Sequence, residues 1–287
     1  MTETDKIILT ETPRDAMQGW SVHIPAELKA KYITSLLKAG FHTVDCGSFV
    51  SARAVPQMAD TAEVIKLIDT NNTSSQIMVL VGNKRGGIIA ALESNVHTIA
   101  YPYSVSATFL KKNLNTTKVE AWKTILELKD ICKQSGKQLR VYLAMAFGNP
   151  YGDNTDDNSV LKEVESLYAA GIYDLVFSDI TGEGTPDSIG RLCSEIITQY
   201  PVIQPGIHLH SKPGNWEPKV AAAWNSGIRR FESAMGGFGG CPMTGYELLG
   251  NLDTIKLLSW CKKQGIETGI NSDFLADAEI FAGKIFK

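Results

Sequence analysis

The chain repeats one pattern: a short β-favouring run, a turn rich in Gly, Asp, Asn or Pro, and a longer stretch with apolar residues at helical spacing. The runs predict strands over 7–10, 43–46, 76–81, 97–101, 139–144, 175–179, 206–210 and 229–233. Between and after them the 3.6-residue spacing predicts helices over 25–39, 55–69, 84–93, 119–134, 158–170, 187–199, 217–225 and 245–263, with one more over 273–286. In the first, Pro25 suits the opening turn, Gly40 the C-cap, and Leu28, Ile33, Leu36 and Leu37 form an apolar stripe.

Strands that alternate with helices pair in parallel, either as an open doubly wound sheet or as a closed barrel. Eight such units in 287 residues favour closure, so the expected fold is α/β, a (β/α)8 TIM barrel with a C-terminal helical extension. No GxGxxG follows the first strand and no GxxxxGK[ST] occurs, which removes the main support for a nucleotide-binding sheet. No linker, low-complexity tract or shift in composition divides the chain, and one catalytic domain over 1–287 is expected.

Charge and composition narrow the partners. With 28 Lys+Arg against 31 Asp+Glu, the net charge of −3 argues against nucleic acid as the main partner. The N-terminal apolar run Ile7, Ile8, Leu9 is too short for a signal-peptide core, and no stretch approaches the ~20 apolar residues that span a bilayer. Five cysteines, Cys46, Cys132, Cys193, Cys241 and Cys261, form no CxxC pair and no even set. Reduced thiols in a soluble, unprocessed cytoplasmic protein, with no membrane partner, are the expectation.

A barrel of this kind carries its chemistry where the strands end at their C-terminal edge. There the first strand runs into Arg14 and Asp15, and the seventh ends in His208-Leu209-His210. Residues i and i+2 of a strand share a face, so the two imidazoles can meet on one cation, or serve as two hydrogen-bonded structural histidines. Asp15 would add a hard oxygen, and two nitrogens with oxygens and open positions suit Mg2+ or Mn2+ better than structural zinc. Arg14 is either a surface ion-pair residue or a fixed guanidinium that stabilises an oxyanion or enolate. Gly236 to Gly240, followed by Cys241, reads either as turn formers beside a small hydrophobe or as a lid over about 236–251 carrying a proton-transferring or nucleophilic thiol. Trp122, Leu126 and Leu128 are expected in helix packing, Cys132, Cys193 and Cys261 as buried inert thiols, and His23, His42 and His97 receive no role.

These segments together resemble hydroxymethylglutaryl-CoA lyase, a family of the metal-dependent TIM-barrel lyases and Claisen-type synthases. The resemblance rests on Thr12-Pro13-Arg14-Asp15-Ala16-Met17-Gln18, on Asp45-Cys46-Gly47-Ser48-Phe49-Val50-Ser51 with Val55-Pro56-Gln57-Met58, and on Ser178-Asp179-Ile180-Thr181-Gly182-Glu183-Gly184-Thr185-Pro186. It continues through His208-Leu209-His210, Gly239-Gly240-Cys241-Pro242 and Gly250-Asn251-Leu252, in order from about Thr10 to Ile270. It implies that Asp15, His208, His210 and Asn251 bind a divalent metal, that Arg14 stabilises enolate charge, and that Cys241 is the loop thiol. Gln18, Asp45 and Asp179 would line the substrate pocket. The implied reaction is cleavage of 3-hydroxy-3-methylglutaryl-CoA, or a close 3-hydroxyacyl-CoA thioester, to acetyl-CoA and acetoacetate, with a homodimer expected.

The chain departs from the family pattern at four places: Asp45 replaces Glu, Ser211 replaces Asp, Asn149-Pro150 replaces Cys-Pro, and the lid is one residue longer, with Tyr246 and Glu247 where small residues are usual. These departures bear on the acyl group rather than on the metal or the enolate chemistry. Two other functions fit parts of the pattern. One is a Claisen-type synthase joining acetyl-CoA to a 2-oxo acid, which usually carries extra C-terminal sequence; the other is a barrel that binds acyl-CoA or metal without turnover.

Overall fold

The computed structural model describes residues 6–153, 155–211, 214–240 and 249–287. Strands β1 (Ile8–Glu11), β2 (Thr43–Phe49), β3 (Gln76–Val81), β4 (Val96–Ser104), β5 (Gln138–Ala144), β6 (Asp174–Asp179), β7 (Gly206–Ser211) and β8 (Arg230–Ser233) pair in parallel with their sequence neighbours. Pairing of β8 with β1 closes the ring. The result is the expected α/β TIM barrel, flanked by helices.

The helices are α1 (Pro13–Gln18), α2 (Ala26–Ala39), α3 (Thr61–Leu67), α4 (Lys84–Leu92), α5 (Ala107–Leu114), α6 (Lys118–Ser135), α7 (Asp157–Ala169), α8 (Pro186–Gln199), α9 (Trp216–Asn225), α10 (Thr254–Gln264) and α11 (Ser272–Ile285). Their ends follow local chemistry. Gly40 closes α2 in the left-handed region, Thr117 and Glu120 form a capping box on α6, and Asp253 accepts from the Ile255 amide to start α10. Ile33, Leu36 and Leu37 of α2 are fully buried against the outer face of the strands.

Several expectations change. The helix over 55–69 splits into a 3-10 turn at Pro56–Met58 and the shorter α3. The expected start of a helix at 245 falls outside the described residues, and Gly250–Asn251 forms instead a short strand, β9, antiparallel to β7. Helix α10 begins at Thr254, where Asp253 supplies the cap. Helices α1 and α5 have no counterpart in the sequence reading. Leu128 is buried and Trp122 packs on the core, but Leu126 is 40% exposed, so its expected packing role is not met. Cys132, Cys193 and Cys261 are buried free thiols, as is Cys46.

Strand parity decides what faces the barrel axis. On β5, Val141 and Leu143 pack outward in the main core, whereas Tyr142 joins Met78, Ala100 and Val176 inside. The interior is otherwise polar. Arg140 meets Glu232 at 3.3 Å and Asp174 at 3.1 Å, and Arg230 meets Asp174 at 2.6 Å. Buried charges must be paired to be tolerated, and this column of pairs leads along the axis to the histidines at the mouth.

Candidate active site

Arg14 and Asp15, expected at the end of the first strand, lie in the first turn of α1, where Pro13 fixes the helical start. Both are buried. Arg14 Nε donates to Asp45 Oδ2 at 2.9 Å, its Nη2 lies 2.7 Å from the same oxygen, and its Nη1 donates to Asp15 Oδ1 at 2.9 Å and Gln18 Oε1 at 3.0 Å. Gln18 returns a bond from Nε2 to Asp15 Oδ1 at 2.7 Å. Four of the five guanidinium N–H groups are thus committed, which leaves one on Nη2 for another acceptor. Asp45 is fully buried beneath Arg14, where burial pushes its carboxyl up to about 6 against the pull of the guanidinium.

Strand β7 points His208 and His210 into the same space. His208 Nδ1 lies 3.0 Å from Glu232 Oε2, and His210 Nδ1 lies 2.8 Å from the Ile180 carbonyl. A carbonyl or carboxylate oxygen only accepts, so each Nδ1 carries a hydrogen, and in a neutral ring each Nε2 presents a lone pair. The two Nε2 atoms face each other at 3.1 Å. Two lone pairs that close require a positive charge beside them. Burial disfavours protonation of His208, but the Glu232 carboxylate outweighs it and holds that imidazole above its ordinary value; burial and His208 push His210 down to about 4. Burial alone would raise the Asp15 carboxyl, yet Arg14, the two histidines and the Asn251 amide hold it below its ordinary value.

Asn251 completes the group. Its register partner on β7 is His210. The amide Nδ2 donates to Asp15 Oδ2 at 2.7 Å and to the Phe238 carbonyl at 2.8 Å, which fixes its orientation. Its Oδ1 is buried with no hydrogen-bond partner. Asp15, His208 and His210 offer ligand atoms all within 4.8 Å of one another. Two imidazole nitrogens, a carboxylate and an orphaned amide oxygen are a donor set that fits a divalent cation.

A cavity of about 290 Å3 opens on this group. Arg14, Asp15, Gln18, His208 and His210 form its polar wall, and Val55, Leu80, Phe109 and Leu114 an apolar one. A second depression of about 390 Å3 shares Val50, Ser51 and Asn83 with it and reaches Arg85 and Gly86 at the start of α4.

Asp179 is not part of the cavity wall. Val176 and Ser178 face inward on β6, so Asp179 faces the helices, where it meets Lys219 Nζ at 2.8 Å and accepts from the Gly184 amide at 3.2 Å. Lys219 also donates to the Gly182 carbonyl, so Asp179 holds the loop whose Ile180 carbonyl orients His210. Cys241 lies outside the described residues, as does the rest of the lid over 242–248. The sequence reading missed Glu232, Tyr142 and Arg140. For Arg140 the signal was present: a charged residue at an inward position of the largely apolar strand β5 has no bland reading in a barrel interior, whereas β8, Arg-Phe-Glu-Ser, offers no such contrast around Glu232.

A family model described as HMGL-like matches residues 6–281. The chain is 31% identical over 259 residues to a zebrafish (Danio rerio) protein named 3-hydroxy-3-methylglutaryl-CoA lyase, cytoplasmic, covering 90% of this chain and 76% of that one. It is 32% identical over 269 residues to a cattle (Bos taurus) protein named hydroxymethylglutaryl-CoA lyase, mitochondrial, covering 94% and 82%. The crystal structure of hydroxymethylglutaryl-CoA lyase from Pseudomonas aeruginosa superposes with a TM-score of 0.90 at 28% identity, over 98% of this chain and 93% of that one.

Proposed function

The chain belongs to the HMGL-like family, and on that footing we propose that its barrel mouth cleaves 3-hydroxy-3-methylglutaryl-CoA, or a close 3-hydroxyacyl-CoA thioester, to acetyl-CoA and acetoacetate. The protein is a carbon–carbon lyase. The observation that carries the proposal is the pair of Nε2 lone pairs 3.1 Å apart beside Asp15 and the orphaned Asn251 oxygen.

Asp15, His208, His210 and Asn251 would hold the metal, Mg2+ or Mn2+. Bound there, a divalent ion supplies the Lewis acidity that makes the substrate's tertiary hydroxyl acidic enough to lose its proton. The oxygen lone pair then forms the ketone, the bond to the carbon next to the thioester breaks, and its electrons become the thioester enolate. Arg14 is built to meet that charge: its plane is fixed by Asp45, Asp15 and Gln18, and its remaining N–H faces an acceptor without reorganisation. A proton on the enolate carbon completes acetyl-CoA. The resemblance gives that delivery to Cys241, in the segment that follows Gly240.

The site is shaped for a thioester that enters from the side. The apolar wall of Val55, Leu80, Phe109 and Leu114 suits the acyl and pantetheine methylenes, and the adjoining depression with Arg85 suits the anionic phosphates of CoA. Among the described residues no helix is long and apolar enough to cross a membrane, and the free buried thiols agree with a cytoplasmic setting. A homodimer through outer helices would cover Ile88 and Leu92, which α4 exposes.

Incubation with 3-hydroxy-3-methylglutaryl-CoA and Mg2+ or Mn2+, followed by mass spectrometry, tests the proposal. Equal amounts of acetyl-CoA and acetoacetate are expected. 3-Hydroxy-3-methylglutaryl-CoA and close 3-hydroxyacyl-CoA thioesters all recovered intact from a protein that binds Mn2+ would overturn it in favour of a non-catalytic barrel.

A further inference from the structure

The Phe238 carbonyl that orients Asn251 belongs to a residue whose ring is held from elsewhere in the chain. Phe286, just past α11, stacks on Phe238 with ring centres 4.4 Å apart and planes 19° apart. Trp20 meets both rings edge-on, at 5.3 Å from Phe286 and 6.0 Å from Phe238, and Tyr32 of α2 meets Phe286 edge-on at 6.4 Å. Offset-stacked and edge-to-face rings at these distances are attractive and fix relative orientation.

Two of these neighbours of Phe286, Trp20 and Phe238, are tied to the site. The Trp20 amide donates to the Met17 carbonyl in the last turn of α1, the helix that carries Arg14, Asp15 and Gln18. Its own carbonyl accepts from Gln57 Nε2, which also holds Val22. Phe238 is followed by Gly239 at φ +96°, where an added Cβ would lie 2.7 Å from both the Asp15 carbonyl and Asn251 Nδ2. The backbone here is wedged between α1 and β9 with no spare room, so a shift of the Phe238 ring passes to Asn251.

We propose that Phe286 is a positioning residue for the metal centre: by stacking on Phe238 and against Trp20 it sets the carbonyl that orients the Asn251 amide and keeps that amide aligned with Asp15 on α1. Phe286 touches neither substrate nor metal. The proposal rests on the reading of Asn251 as a metal ligand.

Mn2+ titration by isothermal calorimetry tests it without recourse to turnover, using the full chain and its Phe286→Leu, Phe286→Tyr and Asn251→Ala variants, with the Phe286→Leu/Asn251→Ala double variant. Leu keeps an apolar side chain but removes the ring and its stack; Tyr keeps the ring. Phe286→Leu is expected to weaken Mn2+ binding about tenfold or more, as loss of groups that orient ligands does, and Phe286→Tyr to bind as the parent does. In the Asn251→Ala background the Leu substitution is expected to add nothing. A Phe286→Leu protein that binds Mn2+ like the parent, with only a lower melting temperature, would show that the stack is structural packing and overturn the proposal. If Asn251→Ala itself leaves the affinity unchanged, the ligand assignment falls and this inference falls with it, a result separable from a null at Phe286 alone.

Discussion

His208 on β7 and Glu232 on β8 are register partners, and Glu232 Oε2 stands 3.0 Å from His208 Nδ1 while the same carboxylate accepts from Tyr142 at 2.9 Å and pairs with Arg140 at 3.3 Å. This buried carboxylate decides which nitrogen of His208 faces the mouth. Glu232→Gln keeps the shape and loses the charge. Mn2+ affinity measured by calorimetry is expected to fall about 10–100-fold, and the melting temperature to fall because Arg140 loses a buried counter-charge. Unchanged affinity would separate Glu232 from the metal centre.

Arg14→Lys tests the fixed guanidinium. An ammonium cannot hold Asp45, Asp15 and Gln18 together in one plane. Turnover is expected to drop about 10²–10³-fold, with kcat and kcat/KM falling together, because the lost contact forms only as the enolate develops. A rise in KM alone would assign Arg14 to ground-state binding.

Metal removal should silence the enzyme. A chelator is expected to abolish cleavage, and added Mg2+ or Mn2+ to restore it. Saturating Mn2+ is expected to stabilise the parent, by about 2.7 kcal/mol when the free ion is a hundredfold above its Kd, and Asp15→Asn, His208→Ala or His210→Ala to cancel that gain. Thermal melts with and without Mn2+ decide it.

Glu11 gives a pH prediction away from the cavity. It is fully buried, accepts from the Met235 amide at 2.7 Å, and meets Thr254 Oγ1 at 2.5 Å. Burial pushes its carboxyl from 4.5 up to about 8. The folded protein therefore binds a proton that the unfolded chain has lost, so this group's contribution to stability is complete below 4.5 and is lost as pH rises through about 8. Glu11→Gln mimics the protonated acid, and its melting temperature is expected to fall less than the parent's across that window. Parallel melting curves for the two proteins would refute the assignment.

Much of this was legible from the chain. Strand and helix periodicity gave the eight units and their closure, and the HxH spacing placed two imidazoles on one face. What was not legible depended on contacts between distant segments or on parity. Asp179 follows Ser178, and neighbours in a strand cannot both face the axis; Asp179 turns outward to Lys219. Asn251 reaches His210 only because β9 returns antiparallel on β7, a pairing that no local pattern announces inside a stretch with helical spacing. Arg14 and Asp15 lie on α1 rather than a strand end because Pro13 starts a helix directly after β1, and six residues are too few for periodicity to reveal it.

The loop between β8 and α10 is pinned at each end by separate contacts: Glu11 bonds both Met235 and Thr254, Ala234 bridges to Asp253, and Asn251 pairs with His210. Neither anchorage depends on how many residues lie between. The described ends of the loop thus hold Asn251 against β7 through contacts made entirely outside the segment 241–248.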